Sequence, residues 1–154
     1  MHERAERRER RRLLEARFPL LKRLEEFRFT DNPKIPQATI AALADGAWIN
    51  DRDSIALVGD SGTGKTHLAI ALAVCACQQG RRVRFTTLAG LANELQEAQG
   101  NRELARVVGR YARTELLVCD LCRYRDYADI VAMAGLNAVR CLGFSAMTPA
   151  SLSA

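Results

Sequence analysis

Lysine is nearly missing from this chain. Lys22, Lys34 and Lys65 are the only three, so the net charge of +5 is carried almost wholly by arginine. A surplus of that size favours polyanionic partners such as nucleic acid but is too modest to demand one. Long apolar runs are missing too. The longest, LAIALAVCAC, falls far short of the ~20 residues that a membrane-spanning helix needs, so no membrane partner is expected. The start, MHERAERRERRR, is charged where a secretory signal would turn apolar, and a cytoplasmic protein is the expectation. Histidine occurs twice, and Cys119 with Cys122 makes the single CxxC. Without a second CxxC or a spaced histidine pair, the four converging ligands of a zinc site are not available. Cys75 and Cys77 stand two apart and would point to different faces of a helix. The five cysteines therefore read as core-filling thiols.

What is present is ordinary for a globular domain: 154 residues, 48% hydrophobic and 27% charged, one domain's length and enough to bury a core. By pattern the chain divides into a charged N-terminal helical arm at 1–29, a central segment at 30–120 and a C-terminal tail at 121–154. In the arm, arginine and glutamate alternate through ERAERRERRRLLEARF. Glu3 with Arg7 and Glu6 with Arg10 stand at i,i+4 and are expected to pair. Leu13, Leu14, Arg17 and Phe18 begin an apolar edge, and Pro19 is expected to end or kink a helix that otherwise extends to about residue 28. A solvated helix tied by ion pairs is the expectation here, with a DNA- or protein-docking arm as the alternative. TDNPKIPQ is turn-rich, and ATIAALADG is a short helical pattern that Gly46 should stop. Phe27, Phe29 and Trp48 could flank a base, but core packing suits each better.

The middle of the chain is the informative part. IALV is a short continuous apolar run, as a buried parallel strand requires. It leads into Gly59, Asp60, Ser61, Gly62, Thr63, Gly64, Lys65 and Thr66, a full match to G-x-x-x-x-G-K-[ST]. HLAIALAVCACQQG follows as a helix closing at Gly80. Gly62 and Gly64 let the backbone approach phosphate oxygens with no Cβ between. Successive N–H groups and the helix N-terminus make an anion nest. Lys65 is placed to reach the β- and γ-phosphates, and the Thr66 hydroxyl to ligate Mg²⁺. A nucleotide's phosphates with Mg²⁺ are the expected ligands.

RRVRFTT then reads as a strand, LAGLANELQEAQ and RELARVVGRYART as helices, and QGN as the turn between them. ELLVCD gives four apolar residues ending in Asp120, whose carboxylate would hold the Mg²⁺ water shell opposite Thr66.

The run GDSGTGKTHLAIALAVCACQQGRRVRFTTLAGLANELQEA, followed by LARVVGRYARTELLVCD, resembles the IstB-like ATPases, helper proteins of insertion-sequence transposition. These are related to DnaC-type helicase loaders within the AAA+ superfamily. Upstream, EARFPLLKRLEEFRF resembles the segment leading into their ATPase core, so the likeness covers roughly residues 10–120. It implies an α/β P-loop NTPase fold of AAA+ type, a parallel sheet flanked by helices. It also implies ATP as ligand, DNA and a transposase as partners, and assembly into a homo-oligomer. A DnaC-like loader is the runner-up. A small P-loop kinase, for which no acceptor-binding or lid motif is visible, and a non-functional remnant of an insertion sequence are the readings from other classes.

Departures from the family's pattern set further expectations. A glutamate normally follows the motif aspartate to orient the attacking water; here Leu121 follows Asp120. From Leu121 onward the chain no longer resembles the family, and the later strands, polar sensor residue and arginine finger are not found, so hydrolysis is in doubt and no catalytic residue is assigned. At the other end MHERAERRERRR looks like only the tail of a further domain. The fold is thus expected to be incomplete, a family member truncated at both ends. In this superfamily a later strand separates the P-loop strand from the aspartate strand, and without it buried backbone groups on both flanks would cost about 1–3 kcal/mol each. AVRCLGF, preceded by a helical pattern with Tyr127, Ile130, Val131 and Ala134 on one face, is the substitute the tail offers.

Overall fold

A computed structural model describes residues 2–51, 55–58, 64–120 and 140–145. Helix α1 spans His2–Ala16, α2 Gln37–Asp45 and α3 Ala47–Asn50; strand β1 spans Ile55–Val58. Helix α4 (Lys65–Gln78) follows, then β2 (Val83–Thr87), α5 (Leu88–Gly100), α6 (Leu104–Ala112), β3 (Leu116–Asp120) and β4 (Arg140–Ser145).

The four strands form one sheet in the order β1-β4-β3-β2, and every pairing is parallel. Strand β4 therefore occupies the slot between the P-loop strand and the aspartate strand. Ala56 pairs with Gly143 on one side, and Cys119 pairs with Gly143 on the other. The open slot anticipated at the centre of the sheet is closed by the chain's own tail, which supplies ladder partners to backbone groups that would otherwise be buried unpaired. The helical pattern ahead of it, at 127–134, lies outside the described residues.

Both faces of the sheet are covered, and β3 shows how. Its burial is continuous from Leu116 to Cys119, as expected of a strand with helices on either side. Because successive side chains alternate, Leu116 and Val118 join one apolar cluster with α4, Val83 and Phe85, while Leu117 joins a second with Leu91, Ala98, Val107 and Tyr111 from α5 and α6. Helix α4 is apolar nearly all round, with nine buried residues. It can be so only because it lies between layers: it packs on the sheet and is covered by α1, α2 and the turn at Leu24–Glu26.

The charged arm is shorter than its sequence suggests. Helix α1 stops at Ala16, two residues before Phe18 and well ahead of residue 28, and Arg17 takes a left-handed φ of 58°. Extended chain and two short 3-10 turns, Leu24–Glu26 and Phe29–Asp31, follow. Leu13 and Phe18 turn inward onto the core, and the Phe18 ring stands 6.3 Å from that of Phe85. Leu14 stays outside, 72% exposed. Of the two expected i,i+4 pairs, Glu3–Arg7 forms at 2.5 Å. Arg11 pairs forward with Glu15 at 2.7 Å, and no ion pair joins Glu6 to Arg10. Gly46, at φ 81°, terminates α2 as expected.

Cys77 and Cys119 are buried apolar-cluster or strand residues, and Cys75 is half-buried. Burial pushes the Cys77 thiol up to about 12, so it stays protonated and unreactive at neutral pH. Among the described residues, no group of three or more His, Cys, Asp or Glu side chains could hold a metal ion by itself. Nor is any described helix long and apolar enough to cross a membrane.

Candidate nucleotide site

The site residues gather along the carboxyl edge of the sheet. In a parallel sheet all strands end on the same side, and the register makes this explicit: Val58 stands beside Ser145, and Thr87 beside Asp120. Lys65 and Thr66 open α4 just beyond the end of β1. Lys65 is half-buried and Thr66 exposed; Asp120, at the end of β3, is half-exposed. Strand β4 intervenes between β1 and β3, so the two motif strands lie two ladder spacings apart, roughly 10 Å. Gly59, Asp60, Ser61, Gly62 and Thr63 lie outside the described residues, as does Leu121.

Gly64 carries two constraints at once. Its φ of +86° lies in the left-handed region, which costs an L-residue roughly 1–2 kcal/mol. An added Cβ would also come within 2.8 Å of Phe27 Cε2. Phe27 is held there by an edge-on contact with Phe29 at 4.9 Å and with the His67 ring at 5.2 Å. The His67 Nε2 in turn lies 3.0 Å from the Arg23 carbonyl oxygen. The segment from Arg23 to Phe29 thus braces the loop-to-helix corner from outside. Its aromatic residues are packing elements here: Phe27 is buried, and so is Trp48, whose indole N–H donates to the Leu43 carbonyl at 2.8 Å.

Gly64→Ala is accordingly expected to weaken ATP binding at least tenfold and to lower the melting temperature. Phe27→Ala in the same background should recover part of the stability, because it removes the steric half of the penalty but not the backbone half. Calorimetric melts and nucleotide titrations of the two variants would separate them.

Sequence reading missed this brace and one cap. The hydroxyl of Thr87 accepts from the Gly90 N–H at 3.1 Å and starts α5 directly from the end of β2, so no loop separates strand from helix. The signal was present as a threonine before LAG, the preferred N-cap chemistry.

The P-loop sequence between β1 and α4, with the parallel sheet and the aspartate strand two places away, defines the class: an α/β P-loop NTPase domain of AAA+ type. In three dimensions the chain is similar to a replication initiator DnaA bound to AMPPCP and single-stranded DNA, with a TM-score of 0.60 at 20% identity over 88% of this chain and 44% of that one. The sequence model of the family described as IstB-like ATP binding protein matches residues 1–138, and the chain belongs to that family. A putative ATP-binding protein of insertion sequence IS21 from Pseudomonas aeruginosa is 38% identical over 113 residues, 73% of this chain and 43% of the relative. A putative insertion sequence ATP-binding protein from Sinorhizobium fredii is 35% identical over 141 residues, 90% of this chain and 47% of the relative. The chain spans a little under half the length of these curated relatives. The family match also runs beyond the residues 10–120 on which the likeness was read, at both ends, and so includes part of the stretch after Leu121. That stretch was set apart because it lacks a legible motif, but a family pattern persists where individual motif residues do not.

Proposed function

We propose that the chain is the nucleotide-holding part of a transposition helper, which binds ATP with Mg²⁺ and works with a transposase on DNA. The observation that carries this reading is the shared edge: Lys65 and Thr66 at the head of α4, and Asp120 at the end of β3, with one strand between. Backbone N–H groups of Gly59, Asp60, Ser61, Gly62, Thr63 and Gly64 would cradle the phosphates. Lys65 would pair with the β- and γ-phosphate oxygens as a point charge. The exposed Thr66 hydroxyl and the Asp120 carboxylate are oxygen donors of the hard kind that Mg²⁺ selects, and they would hold it directly or through its waters. When bound, the ion neutralises charge on the β- and γ-oxygens. DNA, a transposase and further copies of the chain are the partners this reading takes from the family, with the cytoplasm as its setting.

Titration with a fluorescent ATP analogue tests the site. Affinity is expected to rise at least tenfold when Mg²⁺ replaces EDTA, and Asp120→Asn should remove most of that gain while leaving the Mg²⁺-free affinity unchanged. Equal affinities with and without Mg²⁺ would remove Thr66 and Asp120 from the metal site.

A further inference from the structure

At the opposite edge of the sheet lies a cavity of about 310 Å³, at the small end of the ~300–1,000 Å³ usual for ligand sites. It wraps the outer strand β2, whose single partner among the described residues is β3. Arg12 enters it from α1 and Arg17 from the turn after it, Arg82 and Arg84 from β2 and its approach, and Arg110 and Arg113 from the end of α6. Two of the six are neutralised: Arg110 by Glu94, and Arg82 by Glu115 at 3.8 Å. The one acidic side chain in the wall, Glu15, is engaged by Arg11. Arg12, Arg17, Arg84 and Arg113 have no ion pair among the described residues. Arg84 lies 5.8 Å over the ring of Tyr111, a cation–π contact that fixes its guanidinium plane. Tyr111 is itself anchored, donating its hydroxyl to Glu94.

Arginines on an edge strand can serve merely to keep it from pairing with another chain. Scattered cations suffice for that; convergence from three elements into one cavity is not needed. Arg17 holds a left-handed backbone, φ 58°, at a helix end where glycine would be unstrained. Arg102, outside the cavity, holds the same conformation at φ 59°.

We propose that this cavity holds the phosphodiester backbone of a nucleic acid, gripped by the planar forks of Arg12, Arg17, Arg84 and Arg113. The inference rests on the reading of the protein as one that works on DNA, and it assigns the site. Guanidinium matches phosphate in two-point geometry, which a lysine would not, in keeping with the scarcity of lysine. The strands run about 16 Å from this edge to the other, so nucleic acid here and ATP at the carboxyl edge do not compete. The ion-paired first turns of α1 are not part of the site.

The test is anisotropy of a labelled 30-base-pair duplex across a salt series. The variant carries Arg17→Gly, Arg84→Gln and Arg113→Gln, and a control of equal charge loss carries Arg4→Gln, Arg7→Gln and Arg8→Gln. Losing three phosphate contacts should flatten the slope of log affinity against log salt by about 2.7, so that the wild type loses about 40-fold more affinity than the variant between 50 and 200 mM salt. The control should keep the wild-type slope. Arg17→Gly alone should keep or raise the melting temperature while weakening DNA, an outcome that a purely structural arginine would not give. Wild-type slope in the cavity variant, or equal flattening in the control, overturns the proposal and leaves the ATP reading intact. Failure of the wild type to bind DNA at 50 mM salt overturns both this site and the DNA partner. ATP binding by the cavity variant, expected to be unchanged, reports that it is folded.

Discussion

Lys65→Ala is expected to weaken ATP binding at least 30-fold while leaving the fold in place. The lysine opens α4 at a half-buried position, and alanine is the best helix former for it, so the helix does not suffer. On the proposed reading, what is removed is a cation facing phosphate. A charge-assisted hydrogen bond contributes about 1.5–3 kcal/mol, and 2 kcal/mol corresponds to about 30-fold. Lys65→Arg should lose nearly as much, because a planar fork does not reproduce the contacts of a compact ammonium on a flexible stem. Titration with a fluorescent nucleotide measures the affinities, and circular dichroism melts establish that both variants fold. Wild-type affinity in Lys65→Ala would exclude residues 59–66 as the phosphate cradle.

How much of this architecture was legible beforehand depends on whether local chemistry or tertiary neighbours decided each element. Strand β1, helix α4 and strand β3 were readable because each is fixed by its own composition: a continuous apolar run, a helix with apolar residues on every face, and four apolar residues closed by Asp120. Gly46 and Gly80, both at positive φ, end α2 and α4 where the sequence places them. Strand β4 was harder. AVRCLGF carries Arg140 and Gly143 inside its run, and such a segment becomes a strand because β1 and β3 offer ladder partners on both sides, not because of its own propensity. The helical arm was legible as far as its end just before Pro19, and beyond it was not, for the converse reason. The i,i+4 charge pattern favours helix as far as the charges run, but the burial of Ala16, Leu13 and Phe18 against α4 and β2 bends the chain at Arg17. At the site, Lys65, Thr66 and Asp120 could be named from spacing alone. The brace of Phe27 against Gly64 and His67 could not, since residues 40 positions apart meet only through the fold. The arginine cavity was invisible for the same reason: its six cations come from α1, β2, α6 and the turns beside them.

The chain is expected to hold ATP and turn it over at a rate close to background. The reason is local. On the proposed reading Asp120, at the end of β3, serves the metal's water shell, but the next residue, Leu121, has no oxygen or nitrogen in its side chain to accept a proton or orient water. A positioned general base contributes typically 10²–10⁴-fold to rate, roughly 3–5 kcal/mol of barrier. Set against ordinary turnover of about 1–10³ s⁻¹, its loss from the slower enzymes leaves on the order of 0.01 s⁻¹ or less. Leu121→Glu alone should restore little. Orienting the water addresses the nucleophile, whereas charge developing on the transferring γ-phosphoryl needs its own cation, a contribution of about 10³–10⁵-fold where an arginine supplies it. Arg123 and Arg125 follow Asp120 closely in sequence but lie outside the described residues. Two measurements check the expectation. Phosphate release should sit at background for the wild type and for Leu121→Glu, with or without DNA. Nucleotide recovered from the bound state after an hour should still be ATP. Phosphate release near 1 s⁻¹ by the unaltered chain would overturn the expectation and would require a water-orienting group from outside the Asp120–Leu121 pair.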